Sequence, residues 1–216
     1  MEAGAATASP LVPDERFARP AGEDALRRAA AALTAKGFTV EILDDVGAAR
    51  ARVRDLLPEG AAVFTSSSET LRQSGIDEDL NASGRYRAVR PRVLAMDRAT
   101  RMDEIRVLTS TPDVVVGSVA AVAETGSLLA ASGSGSQIPA YGGGAAMRIW
   151  IAGAQKVVPD LDAALRRLDA YALPLEDART RAAYGVPTAA NEVLIINGDH
   201  VPGRCVVLLL RQPIGY

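Results

Sequence analysis

The chain is short of the residues on which most redox and metal chemistry depends. Its 216 residues include one cysteine, Cys205, one histidine, His200, and one tryptophan. A single thiol forms no disulfide within the chain and cannot supply the several thiolates that hold an iron–sulfur cluster. A lone histidine in a turn-forming stretch offers no second imidazole for a metal site and no serine–histidine arrangement. Lysine is nearly missing too, since all the basic residues except Lys36 and Lys156 are arginine. The formal net charge of −2 gives bulk electrostatics no reason to favour nucleic acid or an anionic membrane. No apolar run approaches the roughly 18 residues of a membrane span, and the N-terminus lacks the basic start and apolar stretch of a secretion signal. The expectation is a cytoplasmic protein with no metal and no cofactor.

What is present is enough to build a core: 48% hydrophobic residues against 23% charged, in a length that fits one fair-sized domain. Residues 1–20, rich in Ala and Pro and without periodicity, read as a flexible arm, and 21–216 as the domain. Over 23–36 the apolar positions Leu26, Ala29, Ala30 and Leu33 recur at helical spacing, with Gly37 where a left-handed residue ends a helix. Residues 38–43 alternate as a strand does, 46–57 form a second helix closed by Pro58, and 61–65 a buried strand. Ser66 and Glu69 make a capping box for a third helix. Residues 75–92 suggest a helix and then an irregular edge strand, and Thr100 with Asp103 opens a helix reaching Ser110. Helix, strand and helix in regular order imply a parallel or mixed sheet covered on both sides. Near the end, Pro159 and Asp160 open an amphipathic helix with Leu161, Leu165 and Leu168 on one face, and a further helix runs over 175–184. Residues 193–197 and 205–210 read as strands joined by a hairpin or loop at 198–203.

The stretch from 112 to 156 holds the leading candidates. A valine-rich run at 113–117 reads as a strand buried on both faces, and 148–152 as another. Between them stands Glu124, followed by Thr125 and Gly126. Burying a carboxylate without a partner is costly. Glu124 therefore caps a helix or pairs with an arginine such as Arg106 or Arg148, or it serves a bound metabolite at the carboxyl edge of the sheet as base, nucleophile or acceptor. Thr125 and Gly126 shape the same turn.

Other positions have two readings each. Ser132, Gly133, Ser134, Gly135 and Ser136, with the glycines at 142–144, can cradle an anion through backbone N–H groups, though a surface loop has the same composition. Position 138 is Ile and no Gly-Lys-Ser/Thr follows, so both the dinucleotide fingerprint and the P-loop are missing. Ser66, Ser67 and Ser68 cap a helix or hold a carboxylate or phosphate at its start. Lys156, after a strand end, forms a salt bridge or meets a substrate carboxylate. Arg85, Arg87, Arg90 and Arg92 suit a solvated sheet edge, and Cys205 suits core packing.

Three strings carry a resemblance: VAETGSLLAASGSGS at 122–136, IWIAGAQKVVPDLDAAL at 149–165 and RAAYGVPTAANEVLIINGDHVPGRCVVLLLRQPIGY at 181–216. They resemble the LUD-domain family, the proteins of lactate utilisation. The run Ser66-Ser67-Ser68-Glu69-Thr70-Leu71 is similar to the family's S-x-T-L segment, and the resemblance also takes in Met96-Asp97-Arg98 before a helix. Ser127 stands where the family often has threonine. The resemblance spans residues 22–216 and implies a three-layer α/β/α sandwich of the NagB/RpiA/CoA-transferase-like kind, whose relatives bind sugar phosphates or acyl-CoA at the carboxyl ends of the strands. It implies a non-redox component that assists the oxidation of L-lactate to pyruvate beside iron–sulfur partner proteins and binds a small anionic metabolite near Glu124 and Lys156. The alternative it allows is a stand-alone isomerase or acyl/CoA-transferase-like enzyme with Glu124 as base or nucleophile. Neither nucleic acid nor membrane is an expected partner, and self-association into a homo-oligomer is open.

Overall fold

The computed structural model describes residues 11–216, so the first half of the proposed arm lies outside the described residues. The second half is docked. Asp14 caps a 3-10 turn, Glu15–Ala18, and its N–H donates to the Ala170 carbonyl at 2.8 Å. Helix α1, Glu23–Ala35, buries Leu26, Ala29 and Leu33 and ends where Gly37 takes φ 91°, as the apolar spacing implies. Strand β1, Thr39–Leu43, helix α2, Val46–Leu56, and strand β2, Ala62–Thr65, follow close to their expected bounds.

Helix α3, Glu69–Ser74, is capped by Ser68 and not by Ser66: Ser68 Oγ accepts the Leu71 N–H at 3.4 Å. The Ser66 N–H instead prolongs strand hydrogen bonding, donating to the Val116 carbonyl at 3.0 Å. After helix α4, Ile76–Ala82, the expected edge strand shrinks to β3, Arg87–Ala88, and the chain turns at once into helix α5, Val89–Leu94. Pro91 falls in the first turn of α5, where a missing N–H costs nothing, so the proline that argues against a helix in the sequence is tolerated. Helix α6, Met102–Ser110, leads to strand β4, Val114–Gly117.

The chain then leaves the pattern of alternating strands and helices. Strands β5, Ala121–Ala123, and β6, Ser127–Ser132, form an antiparallel hairpin. Strand β7, Met147–Gly153, follows, then a 3-10 turn, Ala154–Lys156, and strand β8, Val157–Val158. Helices α7, Leu161–Arg167, and α8, Leu173–Tyr184, are joined by one wider turn, and strands β9, Glu192–Ile196, and β10, Cys205–Leu210, complete the fold. The large sheet has the order β1-β10-β7-β4-β2-β3, with every pair parallel; the small one has the order β8-β5-β6-β9.

Of the two readings of 198–203, the loop holds and the hairpin does not. The two strands are neighbours in sequence but belong to different sheets. The run CVVLLL is buried throughout and fits the middle of a parallel sheet, whereas β9 leaves Val193 and Ile195 exposed at the edge of the small sheet, the usual division between central and edge strands.

Packing is in layers. Val63, Val116, Ile149, Ile151 and Leu208 on one face of the large sheet meet α2, α3 and α4. Val115, Trp150, Ala152, Val207 and Leu209 on the other meet α1, α5 and α6. The result is a three-layer α/β/α sandwich. The small sheet thickens the second layer, because Val122, Leu128 and Ala130 face that same core while Ala121 and Leu129 point the other way, to α7. Helix α7 and the turn after it use the expected leucine face in part: Leu168 is buried and Leu161 packs against the same cluster. Ala163, Ala164 and Arg167 are buried and Leu165 is exposed, because small side chains let the helix lie close on the small sheet.

Candidate functional site

Because the six strands of the large sheet run one way, their carboxyl ends share a rim, the place where open α/β sheets bind ligands. Strand β2 ends at Ser66, Ser67 and Ser68, β4 at Ser118, and β7 leads through its 3-10 turn to Lys156. These residues line one side of a cavity of about 410 Å³, a size that suits a small metabolite. The far side comes from Ser132, Gly133, Ser134, Ser136 and Gln137 at and after the end of β6, from α8 and the turn before it, and from Tyr216.

Lys156 is the centre of this wall. It is 1% exposed, and its Nζ donates to Thr70 Oγ1 at 2.9 Å, Ser118 Oγ at 3.0 Å and the Val119 carbonyl at 3.1 Å. All three partners are neutral. Burial, assisted by the charge of Arg167, holds its pKa well below the ordinary lysine value. Arg167 on α7 is fully buried as well. Its Nε donates to the Gln155 carbonyl at 3.1 Å and its Nη1 to the Ala120 carbonyl, and its Nη2 has no partner among the described residues. Burial lowers it to about 10, so it remains a cation at neutral pH. Tyr171 lies under its guanidinium, 5.1 Å from carbon to ring centroid.

The carboxylates at the cavity are already neutralised. Glu69 accepts from Arg72, which lowers its pKa, and Glu176 accepts from Arg179 and from the Tyr216 hydroxyl. Two buried basic side chains without a carboxylate partner, of which Arg167 keeps its charge, thus stand beside a hydroxyl-rich wall, an arrangement that attracts an anion. Tyr141 completes that wall. Its hydroxyl lies 2.9 Å from Ser66 Oγ and 3.1 Å from the Ser118 carbonyl, and burial pushes its pKa up to about 12. Gly117 makes room for it, since a Cβ there would sit 1.6 Å from the Tyr141 hydroxyl.

Of the residues singled out in the sequence, the cavity gathers Ser66, Ser67, Ser68, Ser132, Gly133, Ser134 and Lys156. Gly135 does not line it; with φ 72° it turns the loop against the Glu192 carboxylate. Glu124, Thr125 and Gly126 do not line it either. They form the turn of the β5–β6 hairpin, in the small sheet and not on the rim of the large one. The Glu124 carboxylate accepts from Arg28 Nε at 2.6 Å, in a pair whose side chains are 18% and 62% exposed. Gly126 takes φ 84° and lies so close to α1 that a Cβ would be 2.7 Å from the Ala32 carbonyl. The trio fastens a hairpin to a helix. Arg106 and Arg148, the partners expected for Glu124, pair with Asp103 and Asp199.

Sequence reasoning missed Ser118, Thr70, Tyr141 and Arg167. Ser118 had a signal, since it follows a buried strand as Ser66 does. Arg167 had none, because an arginine on an amphipathic helix reads as solvated. Among the described residues no cluster of three or more His, Cys, Asp or Glu side chains is placed to hold a metal ion, and no helix is long and apolar enough to cross a membrane.

No curated protein matches the chain. A crystal structure of a DUF162 family protein from Deinococcus radiodurans is similar in fold, with a TM-score of 0.55 at 12% identity over 87% of this chain and 96% of that one. The sequence model of the LUD domain matches residues 26–210. That match takes in both sheets, the serine-rich rim and Lys156, and the chain belongs to the LUD-domain family.

Proposed function

We propose that the protein binds a small anionic metabolite of the lactate and pyruvate type in the cavity at the carboxyl rim, as a non-redox component of lactate utilisation in the cytoplasm. The observation that carries this reading is Lys156: a buried lysine with only neutral partners, on the wall of a cavity whose carboxylates are already paired. Ser66, Ser68 and Tyr141 add hydroxyl donors for a carboxylate or a 2-hydroxyl group. With a single buried cysteine, electrons taken from lactate would pass to iron–sulfur partner proteins and not to this chain. The alternative of a stand-alone isomerase or acyl/CoA-transferase-like enzyme rests on Glu124, and the Arg28–Glu124 pair outside the cavity gives it no support.

The test is a thermal-shift series with L-lactate, pyruvate, sugar phosphates and CoA thioesters. A ligand at about 100 times its Kd stabilises the folded state by about 2.7 kcal/mol. Stabilisation by a small carboxylate that is lost in Lys156→Met is the expected outcome. Stabilisation only by CoA thioesters would turn the reading toward acyl transfer, and none by any compound would end it.

A further inference from the structure

We propose that Lys156 is also a nucleophile: its amine condenses with the carbonyl carbon of a small 2-oxo acid held in the cavity and forms an imine. This rests on the anion-binding reading above and names the chemistry that the same lysine adds to it. The first support is the company Lys156 keeps. A carboxylate neighbour would fix the proton on nitrogen, as in an ordinary ion pair, but its partners are two hydroxyls and a carbonyl. The nearest charge with an effect on it is that of Arg167. Desolvation and a like charge are the two conditions that give a lysine a free lone pair near neutrality.

The second support is that the same partners suit an uncharged amine. Ser118 Oγ donates its own proton to the Ile151 carbonyl at 2.6 Å, so it can only accept from Nζ, as the Val119 carbonyl does. Thr70 Oγ1 donates to the Ile214 carbonyl over a long 3.5 Å, so its proton can turn to the nitrogen lone pair. The uncharged lysine therefore keeps three hydrogen bonds, and rotation away from Thr70 alone frees the lone pair. Tyr141, protonated at neutral pH and 3.1 Å from the Ser118 carbonyl, gives the same wall a neutral donor.

In the step itself the nitrogen lone pair forms the C–N bond while the carbonyl pair moves to oxygen. That oxygen leaves as water, carrying both amine hydrogens, and a C=N bond remains. No atom changes oxidation state, so no oxidant or reductant enters.

The experiment uses the full chain, pyruvate and cyanoborohydride, with L-lactate as the analogue that lacks the carbonyl. Hydride reduces the imine to a stable amine, so the adduct adds the mass of the acid less one oxygen atom. Peptide mapping places the adduct among the α-amine and the two lysines of the chain, and Lys36, which is exposed, serves with the α-amine as an internal control. An adduct on Lys156 that pyruvate gives, L-lactate does not, and Lys156→Arg loses is the expected result. If arginine does not fit the buried position, the distribution between Lys156 and Lys36 in the wild type decides alone. No adduct, or one only on Lys36 or the α-amine, in a protein that both acids still stabilise thermally overturns the nucleophile and leaves the binding site standing. If neither acid stabilises the protein and no adduct forms, both readings fall.

Discussion

Replacing Lys156 with methionine separates a lysine kept for a ligand from one kept for the fold. The side chains are similar in length, so no large cavity opens, and the change removes one buried amino group and its three hydrogen bonds. Ser118 Oγ keeps its bond to the Ile151 carbonyl, Thr70 Oγ1 its longer one to Ile214, and the Val119 carbonyl keeps only a 3.4 Å contact from Ser118. One weakened buried carbonyl costs about 1–3 kcal/mol. Against it stands relief from the cost of burying an ionisable amine, and apolar replacements of buried charged groups are often neutral or stabilising by about 1–4 kcal/mol. The variant is therefore expected to be at least as stable as the wild type at neutral pH, by up to about 3 kcal/mol. In a domain of this size each kcal/mol raises the melting temperature by about 2–4 °C.

The pH dependence has a definite sign. Lys156 has a lowered pKa in the folded state, so the unfolded chain binds the proton more tightly. Wild-type stability then rises with pH from the folded pKa up to about 10.4, the unfolded value. Methionine lacks this slope, so its advantage shrinks as the pH increases. Urea unfolding of both proteins at several pH values, followed by circular dichroism, measures the difference. A methionine variant less stable than the wild type by more than about 3 kcal/mol at neutral pH would refute the reasoning and make the lysine a structural latch.

Three further outcomes are expected. Glu124→Gln removes a partly exposed ion pair worth no more than about 1 kcal/mol and leaves ligand-induced thermal shifts unchanged; loss of those shifts would return Glu124 to the site. Asp199→Asn strands Arg148, whose side chain is 5% exposed, and costs about 3–5 kcal/mol in urea unfolding at neutral pH. Arg204 first, with Cys205, Val201 and Arg148, holds Asp199 well below the usual carboxylate range, so its stabilisation is fully present above the unfolded value of about 3.9 and fades as the pH falls below it. Gly117→Ala drives a methyl into the Tyr141 hydroxyl and is expected to cost about 1–3 kcal/mol, with weaker thermal shifts by any ligand of the cavity.

Much of the scaffold was legible because its signals are local. The spacing of Leu26, Ala29 and Leu33, the valine run ending at Gly117, and the serines and lysine after strand ends all follow from chain geometry within one or two turns. The small sheet was not legible. Ala121 to Ala123 and the run after Gly126 are buried on both faces, one by the large-sheet core and the other by α7, so they lack the alternation that separates an antiparallel hairpin from a parallel strand. That ambiguity put Glu124 on the wrong sheet. Its actual partner, Arg28, lies 96 residues away, and nothing in the local pattern links the two. Arg167 escaped for a similar reason, since only tertiary packing turns a helical arginine into a buried cation.

The place of β10 has a consequence for biosynthesis. It separates β1 from β7, and β1 has no other neighbour in the sheet. Strand β1 therefore keeps an open backbone edge until residues 205–210 have emerged. Pairing over such a separation is slow, so β1 waits with an unpaired edge for most of the chain's synthesis and β7 for the last part of it, and the sheet closes only when its last strand slides between them.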